Sequence, residues 1–237
     1  MRNYIKINGI SSDTVAGLII SELPPISKPF MRTDIEEIDG RAGDIVAKLG
    51  YAAYDKTFSI GLSRGYDINN VIAFFAQSGT ITFSNEADKY YLFDSLEQID
   101  FARLVRFRTA EVTVHVQPFK YPIETSEYAE PVAATSSPVS VTNSGNATAT
   151  PSYTISGTGV VALYLDGYQI LDIALDSENA DTITINVGTM DATGDGVLRN
   201  RSVSGDYSLM SLTPGTHSIS WTGSVTSVSI SNYTRWI

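Results

Sequence analysis

The sequence predicts a mainly β protein of two domains, the first of which contains one α-helix. Many short runs alternate apolar and polar residues between turn residues, a pattern typical of half-buried strands. Charge density also changes along the chain. Residues 1–130 hold 13 basic and 18 acidic residues, whereas residues 131–237 hold three arginines, no lysine and eight acidic residues. We therefore predict domains at 1–130 and 131–237.

The first domain opens with a predicted β-hairpin. Residues 4–7 alternate up to Asn8-Gly9, and Asn-Gly favours a two-residue turn because both central positions need positive φ. A strand-like apolar run follows over residues 15–20. Further strands are predicted over residues 54–62, 80–84 and 90–93.

A proline-bounded stretch follows the first strands. Pro24, Pro25 and Pro29 disfavour regular ladder pairing, so the chain up to Phe30 is predicted to be an extended loop or arm. Two interpretations are about equally compatible with these residues. The segment either reaches a neighbouring molecule or is an ordinary surface loop.

The next stretch combines an apolar pair with a glycine-rich turn. Ile35 and Ile38, three residues apart, predict an element with one buried face. Gly40 and Gly43 flank Arg41 and an alanine, which predicts a loop whose backbone reaches conformations that side chains resist.

One segment of the first domain has helical periodicity. Asp67 is a predicted N-cap, the helix is predicted over residues 68–78, and Gly79 is predicted to end it. The predicted apolar face consists of Ile68, Val71, Ile72 and Phe75.

A change of parity marks the end of the first domain. Val105 and Phe107 place apolar residues at odd positions of a predicted strand, whereas residues 112–116 are apolar at even positions. Such a switch requires an inserted residue, so we predict a β-bulge or strand break near Arg108-Thr109. The sheet is then predicted to end over residues 118–122.

The second domain is predicted to be a β-sandwich. Residues 124–138 have the composition of a linker. Asp166-Gly167 lies between two strand-like runs and predicts a second hairpin. The other strands are predicted over residues 182–187, 208–212, 217–221 and 225–230.

Composition and motifs argue against several classes of function. The chain has no cysteine, no signal peptide and no apolar stretch of about 18 residues, so we expect a soluble, unsecreted protein. A net charge of −10 argues against specific nucleic-acid binding. His115 and His217 are interpreted as sheet residues, and Asp191 to Gly196 as a hairpin turn rather than a calcium loop. We therefore predict no enzyme activity, catalytic residue, cofactor or metal.

Several segments, in order, carry a family resemblance. In the first half these are the opening hairpin, the Ile35 to Gly43 stretch, the helix with residues 79–84, the run 88–91 and the strand closing at 118–121. Together they resemble the distal tail proteins, the Dit or siphovirus tail-component family of long-tailed phages and prophages. In the second half the matching pieces are residues 143–146 leading to Pro151, 212–215 and 233–236.

The resemblance implies both a fold and a function. It implies a β-sandwich or split-barrel-like first domain and a galectin-like β-sandwich second domain. It also implies a baseplate hub at the virion tail tip, made in the host cytoplasm, in which six copies form a ring through which DNA passes. The implied partners are the tail tube protein, the tail-associated lysin or fibre protein and receptor-binding proteins. We expect the ring contacts to involve Pro24, Pro25, Phe30, Gly40, Arg41 and Gly43.

Two other classes remain open from the sequence. A carbohydrate-binding module would use exposed aromatic residues of the second domain to stack on sugar rings, and the candidates are Tyr168, Tyr207 and Trp236. Packing of these rings into the core is the competing interpretation. A cell-wall hydrolase would need a catalytic constellation that the sequence does not display.

Overall fold

The computed structural model describes residues 2–123 and 130–237, and the chain divides into two compact units. Unit 1 comprises residues 1–120 with Ile237, and unit 2 comprises residues 121–236. Each unit has its own apolar core, and the protein is mainly β with curled sheets. Over the described ranges, no helix combines the length and apolar character required to cross a bilayer.

Unit 1 is built on a seven-stranded antiparallel sheet and two helices. Its strands are β1 (Ile5–Ile7), β2 (Ile10–Ser11), β3 (Leu18–Glu22), β4 (Met31–Glu36), β5 (Ile45–Tyr51), β6 (Tyr54–Leu62), β7 (Gly79–Phe83), β8 (Lys89–Leu96) and β9 (Thr109–Pro122). Its helices are α1 (Ile68–Phe75) and α2 (Phe101–Phe107). The sheet order is β2-β1-β7-β8-β9-β6-β3, and β4 and β5 form a separate two-stranded sheet.

The opening hairpin and the strand at 54–62 are confirmed. Asn8 and Gly9 have φ of 48° and 81°, as a tight turn between β1 and β2 requires. Strand β6 buries alternate side chains from Phe58 to Leu62. Strand β9 ends at Pro122, within the segment 118–122 where the sheet was predicted to end.

Helix α1 begins where predicted but is shorter. Asp67 caps it by accepting a hydrogen bond from the backbone N–H of Asn69 at 2.9 Å. The predicted apolar face was partly wrong because Ile72 is exposed. The helix buries Val71, Phe74 and Phe75. Gly79 does not end the helix but opens β7, so that prediction was also wrong.

The segment interpreted as a strand over 104–107 is helical, which makes α2 a second helix. Asp100 caps it by accepting a hydrogen bond from the N–H of Arg103 at 2.9 Å. The predicted β-bulge or strand break near Arg108-Thr109 is therefore also wrong, because Arg108, with φ of 61°, ends a helix before β9 begins. Three or four alternating residues are too few to distinguish a strand from a short helix.

Unit 2 is a nine-stranded curled sheet. Its strands are β10 (Val132–Ala134), β11 (Val139–Asn143), β12 (Ser152–Leu165), β13 (Tyr168–Ala174), β14 (Asp181–Asn186), β15 (Asp191–Gly194), β16 (Val197–Leu198), β17 (Val203–Gly205) and β18 (Gly215–Ser231). The main order is β10-β18-β12-β14-β15-β16, with β11 also on β18 and β13 joining β12 to β17. The predicted hairpin at Asp166-Gly167 is confirmed, with φ of 51° and 87°.

Three predictions for unit 2 need correction. The run at 208–212 is not a strand, because Tyr207–Met210 forms a 3-10 helix that Asp206 caps through the N–H of Ser208. The strands predicted at 217–221 and 225–230 are a single strand, β18, with register shifts against β12. The predicted linker contains strand β10, which pairs with β18, and its residues 124–129 lie outside the described residues.

Replacing Phe58 by alanine is expected to destabilise the protein by about 3–5 kcal/mol. The ring is buried and packs against Phe75 and Phe83 at centroid distances of 6.3 and 5.9 Å. The matched control is Tyr168→Ala, which removes a ring that is 75% exposed and should change stability by less than about 0.5 kcal/mol. Urea denaturation of both variants measures the difference, and equal effects would contradict this assignment of the core.

Candidate functional site

The hairpin formed by β4 and β5 projects uncovered apolar side chains. We call residues 30–51 the arm, and the proline-bounded residues 24–29 that lead into it the root. Its strands pair in a register that places Ile35 opposite Val46. Almost every residue of the arm is exposed. Its large exposed apolar side chains are Phe30 (71% exposed), Ile35, Ile38, Ile45, Val46 and Leu49.

The expectation that Ile35 and Ile38 face the core of their own chain is therefore wrong. Both side chains are exposed, because β4 and β5 pair with each other and not with the seven-stranded sheet. A two-stranded hairpin alone is marginally stable in water, and contiguous exposed apolar surface marks interaction sites. The arm thus has the character of a surface that another molecule covers.

The tip of the arm adopts the backbone that its glycines predict. Gly40 and Gly43 have φ of 82° and 80°, and the N–H of Arg41 donates to the carbonyl of Ile38 at 3.1 Å. The predicted loop is confirmed. These conformations are strained for other residues, so the glycines fix how the tip turns.

The root of the arm is fastened to unit 1 by side chains. Asn85 donates to the carbonyl oxygen of Pro24 at 2.9 Å, and the Lys56 ammonium donates to that of Pro25 at 2.9 Å. The Tyr54 hydroxyl donates to the carbonyl of Ser27 at 3.4 Å. Prolines exclude this segment from a ladder, so side-chain donors satisfy its carbonyl groups.

The lysine that holds the root belongs to a buried polar cluster. Lys120 donates to one oxygen of the Glu86 carboxylate at 2.6 Å, and the Tyr91 hydroxyl donates to the other at 2.5 Å. The ammonium of Lys56 lies 5.0 Å from the centroid of the Tyr91 ring. Lys56 and Lys120 are only 3% and 5% exposed. A buried ammonium group is costly without polar or aromatic partners, so these contacts offset the burial of both lysines.

Burial lowers the pKa of Lys56 to about 8, with Glu86 opposing the shift and Lys120 adding to it. Sequence reasoning missed this cluster, although a signal was present. Lys56 has the same parity as Phe58 and Ile60 in β6, and Lys120 has the same parity as Val116 in β9. A lysine at a core-facing position of a strand requires a buried partner.

The predicted interface residues lie at the tip of the arm, at its first residue and in its root. Gly40, Arg41 and Gly43 form the tip. Pro24 and Pro25 lie in the root, where Pro24 is buried by its own chain and Pro25 is exposed.

Phe30 begins the arm, where its carbonyl accepts a hydrogen bond from the N–H of Ala52 at 2.8 Å. Nearby, the rings of Tyr51 and Phe119 pack edge to face at 5.9 Å. Phe30 is thus an exposed apolar residue next to the root, at the end of the arm opposite the glycine turn.

Each of the two histidines lies beside an aspartate. His115 is exposed, and its Nδ1 lies 2.6 Å from Asp55. His217 places Nδ1 at 2.7 Å from Asp166 and Nε2 at 2.9 Å from the carbonyl of Thr213. Although burial opposes it, the contacts with Asp166 and Thr213 raise the pKa of His217. Because both ring nitrogens face acceptors, His217 serves to join the Asp166 turn to the start of β18.

The three candidate glycan-stacking residues differ in exposure. Tyr168 is 75% exposed at the turn between β12 and β13. Tyr207 packs against the core of unit 2 with its hydroxyl buried, and Trp236 is partly buried. Of the three, Tyr168 alone presents an open ring. Among the described residues, no group of three His, Asp or Glu side chains could hold a metal ion.

Comparison with known proteins identifies the fold. No family model and no curated protein matches the sequence. Among solved structures, the Dit (gp 19.1) protein of phage SPP1 matches with a TM-score of 0.67 and 13% identity over 100% of both chains. This chain has the Dit fold. The resemblance predicted from the sequence is thus confirmed at the level of the fold.

Two further matches come from phage baseplates. A chain of the phage P2 baseplate in its activated conformation aligns with a TM-score of 0.49 and 8% identity, over 100% of this chain and 98% of that one. A second structure of the p2 baseplate gives 0.42 and 10% identity over 97% of both chains. The SPP1 protein is described as a hub adsorption apparatus in phages that infect Gram-positive bacteria.

The buried Lys56 gives a pH-dependent prediction. Between pH 8 and 10.5, unfolded chains keep a proton on this lysine that the folded protein has lost, so the contribution of Lys56 to stability rises with pH through this window and is constant below pH 8. The free energy of unfolding of the wild type, minus that of Lys56→Met, should therefore increase from pH 8 to 10.5. Urea titrations at several pH values measure it.

The matched control for this experiment is Lys48→Met, which removes an exposed lysine from the arm. The difference in free energy of unfolding between the wild type and Lys48→Met should not rise between pH 8 and 10.5. A Lys56→Met profile that runs parallel to the wild type would mean that folding does not lower the pKa of Lys56, and would contradict its burial.

Proposed function

We propose that this protein is a structural hub of a phage tail tip, in which copies assemble head to tail into a hexameric ring. The observation that carries the proposal is the arm, which exposes apolar side chains along both of its strands. The Dit fold supports the same assignment, because the SPP1 protein with this fold is described as a hub.

The proposed mechanism is geometric. An arm on one copy that binds a different surface of the next copy makes a heterologous contact, and such contacts close into a ring when the rotation between neighbours permits it. The root contacts support this role. Lys56, Asn85 and Tyr54 hold the segment that leads into the arm, so less freedom is lost when it binds.

The ring would have two faces with different partners. We propose that one meets the tail tube protein and the other the tail-associated lysin or fibre protein. Unit 2, as a galectin-like domain, would then be available for receptor-binding proteins. An acidic chain, with net charge −10, lets DNA pass through a ring without adhering to it. The location is the tail tip of a virion assembled in the host cytoplasm.

Removing apolar surface from the arm should weaken assembly. We expect the purified wild type to form rings in negative-stain images and a hexameric mass by light scattering. In Ile35→Thr/Val46→Thr, two paired and exposed side chains become polar while strand propensity is retained. This variant should shift toward the monomer at concentrations where the wild type is assembled.

The matched control removes equal apolar surface from unit 2. Val197 and Leu198 are each 63% exposed, and Val197→Thr/Leu198→Thr should assemble like the wild type. A wild type that stays monomeric at high concentration, with and without partner proteins, would contradict the proposal. So would an arm variant that assembles as well as its control.

A further inference from the structure

Helix α2 presents a second surface that its own chain leaves uncovered. We define the α2 surface as Ala102, Arg103, Val105, Arg106, Phe107 and Arg108. All six residues are exposed, and Leu104 is the single residue of the helix that is buried. Phe107 is 59% exposed, which is unusual for so large an apolar ring on a short helix.

The α2 surface is basic within an acidic protein. Residues 101–108 include three arginines and no acidic residue, whereas the whole chain carries −10. Arg103 and Arg106 lie one helical turn apart and, with Phe107, line a shallow depression. Asp100 also lines it, but this carboxylate accepts the capping hydrogen bond from the N–H of Arg103.

Two of the three guanidinium groups lie beside aromatic rings. Arg106 lies 5.2 Å from the centroid of the Phe107 ring, and Arg108 lies 4.6 Å from that of Tyr66. Within the ranges that the structure describes, none of the three arginines forms an ion pair. Their charges are therefore available to an anionic partner.

Residues 34–44, which include the tip of the arm, have the complementary chemistry. They carry five acidic residues against a single basic one, Arg41. All residues of this segment are exposed, and Ile35 and Ile38 place apolar side chains among the carboxylates. An acidic surface with apolar groups and a basic surface with apolar groups meet the two requirements of a specific contact.

We propose that residues 34–44 of one copy bind the α2 surface of the next copy. The carboxylates of Glu36 and Glu37 pair with Arg103 and Arg106. Ile35 and Ile38 pack beside Phe107. This contact rests on the proposed ring and specifies which surfaces join its neighbours. The two surfaces differ, as head-to-tail assembly requires.

Charge reversal tests the pairing directly. An arm-reversed variant, Glu36→Lys/Glu37→Lys, and an α2-reversed variant, Arg103→Glu/Arg106→Glu, should each weaken self-association by about 100-fold or more, because like charges then face each other. All four side chains are exposed, so circular dichroism should show an unchanged fold. A chain carrying both reversals should recover much of the lost association.

Mixing the two variants gives a sharper result. Each alone should remain monomeric, whereas an equimolar mixture should assemble, since every neighbouring pair then joins opposite charges. Association should also weaken as salt rises from about 50 to about 500 mM, where the Debye length becomes shorter. Variants that assemble like the wild type, and a mixture no different from its components, would overturn the contact while leaving the proposed ring intact.

Cross-linking covers the case in which the wild type does not form a stable ring alone. The chain has no cysteine, so Glu37→Cys and Arg106→Cys introduce single thiols. One variant carries a tag, so that a disulfide-linked heterodimer of Glu37→Cys and Arg106→Cys is recognised by its mass. The control is the pair Glu37→Cys and Val197→Cys, which should not form this product. Absence of this product at high concentration would overturn the inference. An α2-reversed variant that assembles normally but no longer binds duplex DNA would also overturn the inference, because the arginines would then bind a nucleic acid and not a second copy of this chain.

Discussion

Lys56 carries a positive charge within unit 1, and the carbonyl oxygen of Pro25 is its direct acceptor. The nearby carboxylate of Glu86 is already bound by Lys120 and Tyr91. A buried ammonium is costly without partners, so the proline segment is required to lie against the core. The position of the root is thus coupled to the packing of the sheet, and the arm begins from that position.

The arm and the core use apolar residues in different ways. Phe58, Ile60 and their neighbours stabilise unit 1 by leaving water, whereas Ile35 and Val46 remain exposed on the same chain. Exposed apolar area does not stabilise the free chain, and it becomes favourable when a partner covers it. A fixed root, with an arm that holds its apolar groups in a defined register, is suited to repeated contacts between copies.

The sequence predicted those elements in which local pattern and tertiary context agree. Asn8-Gly9, Asp166-Gly167, strand β6 and the Asp67 cap are examples, since turn chemistry, alternation and capping act over a few residues. Helix α2 was missed because its pattern is too short. The outward orientation of Ile35 was missed because alternation reveals an apolar face but not which molecule covers it. The Lys56 cluster joins three strands and the 3-10 helix Ser84–Glu86, and no local pattern brings its members together.

Hydrogen exchange as a function of protein concentration is the decisive measurement for the proposed ring. If the arm joins neighbouring copies, it is open in the free chain and covered in the assembly. Amides of residues 31–51 that form no hydrogen bond between β4 and β5, including those of the tip, should exchange rapidly at low concentration. They should become protected as concentration rises. Amides of β6 and β9 should be protected throughout. Exchange in the arm that is independent of concentration, while the mass of the protein increases, would contradict the account, because the copies would then associate through another surface.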